Sequence, residues 1–170
     1  MTQPHAKQKA SRVLPWLWVG ERGAAEDAEF LRAHAIGAVL SLCPASCAAV
    51  QRKLLDVPDS ADYDLGQYFG ECAAWLEAQR CSGRAALVHC RLGHSRSTTI
   101  VLAYLLLQAG WTLRDAYAHL LRCHAPTSPN VGFFAQLQLL EARLQPATAA
   151  PQQPLAQPLR RTRSYARRTG

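Results

Sequence analysis

The sequence predicts an α/β fold, a central and mainly parallel sheet with helices on both faces. Three observations carry that prediction. Stretches of strand character alternate with stretches of helical periodicity, the pattern of strand–helix–strand units. Residues 36–42 form an unbroken apolar run, as a parallel strand buried on both faces requires. A second apolar run, 85–88, leads into His89-Cys90-Arg91-Leu92-Gly93-His94-Ser95-Arg96-Ser97, and the almost wholly apolar 98–108 beyond it reads as a buried helix. A cysteine therefore stands at the end of a strand, before a tight loop that ends where a helix begins.

The elements follow in order. Residues 1–12 are polar, lack the apolar core of a secretory signal and are expected to be disordered. Residues 13–19 read as a first strand, with Pro15 arguing for an edge position. Residues 24–35 carry an apolar stripe of Ala28, Phe30, Leu31 and Ala35 and predict a helix, which 36–42 follows as the second strand. Residues 43–53 read as loop, and 54–57 as a short third strand stopped by Pro58. Asp64, with Gln67 three residues on, is placed to cap a helix whose face is Leu65, Tyr68, Phe69, Cys72, Trp75 and Leu76. Ser82-Gly83 turns the chain into the strand before Cys90, and Gly110 ends the helix after it. Thr112 and Asp115 open a helix to about Cys123. Ser128-Pro129 opens the last one, with proline at its first position and Phe133, Leu137, Leu140 and Leu144 on one face.

The chain has 170 residues, 49% of them hydrophobic, which suits one domain with a sizeable core. It has no run of about 18 apolar residues, so no membrane span is predicted, and the chain is expected inside a cell, in cytoplasm or nucleus. Six cysteines match no zinc spacing, and with no export signal a disulfide framework is not expected. The formal charge of +7 is uneven: five arginines lie in 160–170, and without them fourteen basic residues face twelve acidic ones. From Gln145 the composition turns to Pro, Gln and Ala, an extended linker. The predicted division is a disordered 1–12, a domain over 13–145, and a linker with an arginine-rich tail over 146–170. The tail reads as a solvated segment, as a nuclear address or weak patch for nucleic acid or acidic lipid, or as a phosphorylation site at Ser164.

The loop after Cys90 lies outside the carboxyl end of a strand, where such sheets bind ligands. Backbone N–H groups of residues 91–96 can converge on one point, and a helix N-terminus adds its own unpaired donors and positive dipole end. Arg96, five residues beyond Cys90, offers a planar fork that matches two phosphate oxygens. The same positive cradle favours a thiolate, so the residues suggest phosphoryl transfer to sulfur. An acid is then needed for the leaving oxygen, on a mobile loop near the site. Asp56, Asp59, Asp62 and Asp64 are the candidates; Asp56 falls within the third strand and Asp64 caps a helix, so Asp59, just after Pro58, suits best. His89, Cys90 and His94 imitate a metal trio, but a turn that cradles phosphate directs main-chain N–H groups at its centre, so no metal or organic cofactor is expected.

His-Cys-x5-Arg-Ser resembles the signature of the cysteine-based protein tyrosine phosphatases, and Gly93 to Ser97 is most similar to their dual-specificity branch. The resemblance covers about Leu14 to Leu144 and includes Pro129 to Phe133, similar to the family's opening of its last helix. It implies that Cys90 attacks phosphorus, that Arg91, Leu92, Gly93, His94, Ser95 and Arg96 hold the phosphate, and that Asp59 is general acid and base. It assigns to Ser97 a hydrogen bond to the departing thiolate, while His89 is expected to orient Cys90. With no long N-terminal region the chain resembles the small, atypical members, and Ser95-Arg96-Ser97 points to protein phosphate. The alternatives are a catalytically weak phosphate-binding scaffold and a phosphatase of phosphoinositide or RNA phosphate. His94 is read as an exposed loop residue or as one that tunes substrate choice.

Overall fold

The computed structural model describes residues 9–47, 49 and 51–144. A five-stranded sheet is built from β1 (Ala10–Leu14), β2 (Leu17–Glu21), β3 (Ile36–Ser41), β4 (Gln51–Leu54) and β5 (Ala85–Cys90), in the order β1-β2-β5-β3-β4. Only β1 and β2 run antiparallel; the other pairs are parallel. The helices are α1 (Arg22–Glu26), α2 (Ala28–Ala33), α3 (Phe69–Cys81), α4 (Arg96–Leu107), α5 (Leu113–Cys123) and α6 (Val131–Leu144), with a 3-10 turn at Gly66–Tyr68. This is the expected α/β architecture.

Strand alternation sorts the core into two layers. Ala86 and Val88 of β5 join Ala38 and Leu40 of β3 under α3, α4, α5 and α6, while Leu87 and Val39 face α1 and α2 on the other side. Helix α4 lies in the middle of the larger layer and is buried without a break from Ser97 to Leu106. An all-round apolar helix is the one that can occupy such a position. Its end is turned by Gly110 (φ 68°), after which the Trp111 N–H reaches back to the Leu105 carbonyl.

Five elements depart from the sequence reading. The first strand is a hairpin: Pro15 and Trp16 form its turn, and β1 begins at Ala10, inside the stretch expected to be disordered. The expected helix 24–35 is two short helices, because Asp27 leaves helical geometry and its Oδ1 accepts from the N–H groups of Glu29 and Phe30. The third strand lies earlier than expected, at Gln51–Leu54. It is an edge strand, and charged residues protect such an edge at the cost of any apolar signal. Asp64 caps the 3-10 turn rather than α3, its Oδ1 accepting from the Gln67 N–H. Helix α6 is capped by Asn130, whose Oδ1 accepts from the Phe133 N–H, so Pro129 precedes the cap. Residues 1–8, the linker and the arginine-rich tail lie outside the described residues.

Gly20 makes the hairpin possible. A Cβ there would stand 2.5 Å from the Ala10 Cβ and 2.6 Å from the Lys9 carbonyl oxygen. Gly20→Ala should therefore lower stability by about 2 kcal/mol or more, since it forces backbone apart in a packed sheet. A urea unfolding midpoint equal to the wild type would contradict that close approach.

Candidate active site

The Cys90 loop is organised through its carbonyls. The Arg91 carbonyl accepts from the Arg22 N–H at 3.4 Å, and the Gly93 carbonyl from His124 Nε2 at 2.8 Å. The His94 carbonyl accepts from the Ser128 N–H and the Thr98 hydroxyl, and the Ser95 carbonyl from the hydroxyls of Thr98 and Thr99. In a trans peptide the C=O and the following N–H point opposite ways. Fixing those four carbonyls outward turns the amides of Leu92, His94, Ser95 and Arg96 to the concave side. Gly93 (φ 75°) allows the turn, and its Cα lies so close to β2 that a Cβ would meet the Gly20 carbonyl carbon at 2.7 Å. At the start of α4, Ser95 makes no side-chain cap, which leaves the first helix N–H groups without that partner. The cleft holds about 310 Å³ and is lined by Asp59, Cys90, Arg91, Leu92, His94, Ser95 and Arg96.

Cys90, the last residue of β5, is buried, and its Sγ lies 3.3 Å from Ser97 Oγ. Arg96 turns back toward the sheet. Its Nη1 donates to the Leu42 carbonyl at 3.2 Å and the Val57 carbonyl at 2.9 Å, just past β3 and in the loop after β4. Its Nε is buried and has no hydrogen-bond partner. Two carbonyls thus fix the guanidinium plane and leave a donor edge for an oxyanion.

Asp59 is drawn into the same cleft, unlike Asp56 and Asp62, which do not line it. Its Oδ1 accepts from Ser95 Oγ at 2.7 Å and from Asn130 Nδ2 at 2.9 Å, and its Oδ2 lies 3.7 Å from Arg96 Nε. The loop that carries it, expected to be mobile, is stitched to α6. Gln136 donates to the Tyr63 carbonyl and accepts from the Gly66 N–H, and Gly132 meets Ala61 so closely that a Cβ there would overlap the Ala61 carbonyl.

His89 lies beneath the loop. Its Nε2 shares a hydrogen bond with the Ser41 hydroxyl at 2.8 Å, and its Nδ1 faces the Cys90 carbonyl at 3.5 Å. His89 is buried, whereas His94 is exposed at the rim. Among the described residues there is no group of three His, Cys, Asp or Glu able to hold a metal. Sequence reasoning missed Ser41, the Leu42 and Val57 carbonyls, His124, Gln136 and the two-sided role of Asn130. Only Asn130 carried a signal, within the Pro129–Phe133 stretch that reads as a helix opening.

The model of the family "Dual specificity phosphatase, catalytic domain" matches residues 17–143. Dual specificity protein phosphatase 1 of Arabidopsis thaliana is 38% identical over 133 residues, covering 76% of this chain and 67% of that protein. Human dual specificity protein phosphatase 5 is 34% identical over 149 residues, 85% of this chain but 39% of the longer protein. The crystal structure of human DUSP28 superposes with a TM-score of 0.78 at 28% identity, covering 83% of this chain and 98% of that one.

Burial pushes the pKa values of His89 and His124 below the ordinary histidine value, because the cation would have to give up its water. The unfolded chain then takes up protons first as the pH falls. Stability supplied by the neutral rings is present above about pH 6.5 and declines from there toward the lowered folded values, by up to ~1.4 kcal/mol per pH unit for each ring. The urea midpoint should hold from pH 8 to 7 and fall between 6.5 and 5.5, with His124→Gln removing about half of the slope. A midpoint flat over that range would show that the rings are not buried as neutral groups.

Proposed function

Since this chain belongs to the dual specificity phosphatase family, we propose that it is a protein phosphatase. It hydrolyses phosphotyrosine and phosphoserine or phosphothreonine through a phosphocysteine on Cys90. The observation that carries the reading is the buried Arg96 Nε, left without a hydrogen-bond partner beside a loop whose amides turn to the same cleft. A buried donor is costly unless it is satisfied, and a phosphate oxygen satisfies it.

In the first step Cys90 Sγ attacks phosphorus in line, and the bond from phosphorus to the leaving oxygen breaks. Arg96 and the amides of residues 91–96 hold the three equatorial oxygens, and Asp59 gives its proton to the leaving oxygen. In the second step water attacks the phosphocysteine, Asp59 takes the proton, and the sulfur leaves as a thiolate that accepts a hydrogen bond from Ser97. His89 orients the Cys90 backbone. The bonds from Ser95 and Asn130 support Asp59 in this role, since they aim one carboxylate oxygen and leave the other nearer the cleft.

Protein phosphate, rather than lipid or RNA phosphate, is favoured by Ser95-Arg96-Ser97. All six cysteines are free thiols, which supports a reducing compartment, cytoplasm or nucleus. Contact of the arginine-rich tail with nucleic acid or acidic lipid is supported by charge alone. Among the described residues no helix is long and apolar enough to cross a membrane.

The test is hydrolysis of aryl and alkyl phosphates in EDTA. Cys90→Ser should abolish turnover. Asp59→Asn should cost about 10²-fold or more on an alkyl ester and less on p-nitrophenyl phosphate, whose leaving group needs little protonation. Turnover that survives in Cys90→Ser would overturn the mechanism. A folded wild type that binds phosphate without turnover would leave a phosphate-binding scaffold.

A further inference from the structure

Nothing in the chemistry above uses His124, yet among the described residues it is the one side chain that bonds the Gly93 carbonyl. It lies just beyond α5, outside the cleft, and is buried together with Ser11 of β1. Both ring nitrogens are engaged: Nε2 with the Gly93 carbonyl at 2.8 Å and Nδ1 with Ser11 Oγ at 2.9 Å. The carbonyl can only accept, so Nε2 carries the hydrogen, and the Ser11 hydroxyl donates to Nδ1 in the neutral ring. Ser11 thereby selects the tautomer that Gly93 needs. The segment after the ring is secured as well, since Thr127 Oγ1 donates to the His124 carbonyl and the Ser128 N–H donates to the His94 carbonyl. The next peptide of the loop is thus held from the same segment.

We propose that His124, with its tautomer set by Ser11, is a positioning residue for the phosphate loop: by holding the Gly93 carbonyl it aims the His94 amide at the bound oxyanion. The inference rests on the phosphatase reading of the cleft, but concerns anion binding and does not require turnover. Gly93 has no Cβ and a left-handed φ, so its peptide plane has a wide choice of orientation. The imidazole removes that choice. A flipped Gly93–His94 peptide would turn a carbonyl dipole toward the phosphate in place of an N–H.

Two side chains of different reach separate this role from simple packing. A glutamine amide reaches as far as Nε2 and can donate to Gly93; an asparagine amide reaches only as far as Nδ1. With tungstate as probe, followed by calorimetry on the full chain, His124→Asn should bind roughly three- to tenfold more weakly, the worth of one hydrogen bond. Its kcat/KM should fall in parallel, while His124→Gln should stay within about twofold of wild type. Equal affinities for Asn and Gln, or wild-type affinity in Asn, would overturn the proposal. Long-range nitrogen-15 NMR of the wild type tests it without any variant: at pH 7.5 the His124 ring should carry its hydrogen on Nε2, and an Nδ1–H ring would overturn it. A wild type that binds tungstate and shows the Nε2–H ring but hydrolyses no phosphate would refute the phosphatase reading and leave His124 in its role.

Discussion

Several backbone amides can face one point only if the carbonyls of the same peptides are held elsewhere. That constraint governs this molecule. Converging N–H dipoles repel one another, and until an anion arrives they lose the partners that buried amides normally have. The arrangement has to be enforced from outside the loop. Here it is enforced from the start of α1 through Arg22, from α4 through Thr98 and Thr99, from the segment after α5 through His124 and Ser128, and from β2 through the close approach of Gly20 to Gly93. The loop is defined largely by what surrounds it, since its own side chains make few of these bonds.

The same logic extends to Arg96. An arginine that only closed the loop would be free to swing with its long side chain. Nη1 instead bridges the Leu42 and Val57 carbonyls, which tie the guanidinium to the segments that follow β3 and β4. Sheet geometry thus reaches the cleft by two routes: through β5, which ends at Cys90, and through the guanidinium plane. Asp59 is the third fixed point. Ser95 and Asn130 each satisfy one more group than Asp59 alone: Asn130 caps α6 and donates to Ser95 Oγ through its N–H, so the acid, the loop and the last helix form one hydrogen-bonded unit.

What was legible in the sequence follows from how far apart the interacting residues lie. Residues 36–42 and 85–88 show their burial in composition, and Cys90 to Ser97 shows its chemistry because nucleophile, amides and arginine share one turn. The hairpin was hidden because Ser11 and Arg12 interrupt any apolar pattern and Pro15-Trp16 turns inside what reads as a single run. Strand β4 was hidden because an edge strand is defended by charge. Helix α1–α2 was joined because Asp27, read as one more helical position, acts as a cap. Ser11 and His124 are separated by 113 residues, and Arg96 meets backbone oxygens that no side-chain pattern records.

That division has a physical consequence. Groups that react with phosphate must touch it, so they cluster in sequence wherever one turn supplies them. Groups that aim those atoms act through carbonyls and capping bonds, and any element that reaches the back of the loop can supply them. Such residues have no required spacing and no required type beyond a donor in the right place. Gln136 illustrates the point on the acid side: it touches neither Asp59 nor the cleft, yet its amide brackets the loop between Tyr63 and Gly66 and so limits where Asp59 can move. His124 does the same for Gly93 from the other side. The sequence motif therefore specifies which reaction the cleft can perform, and the scattered donors behind it decide how well its atoms are aimed.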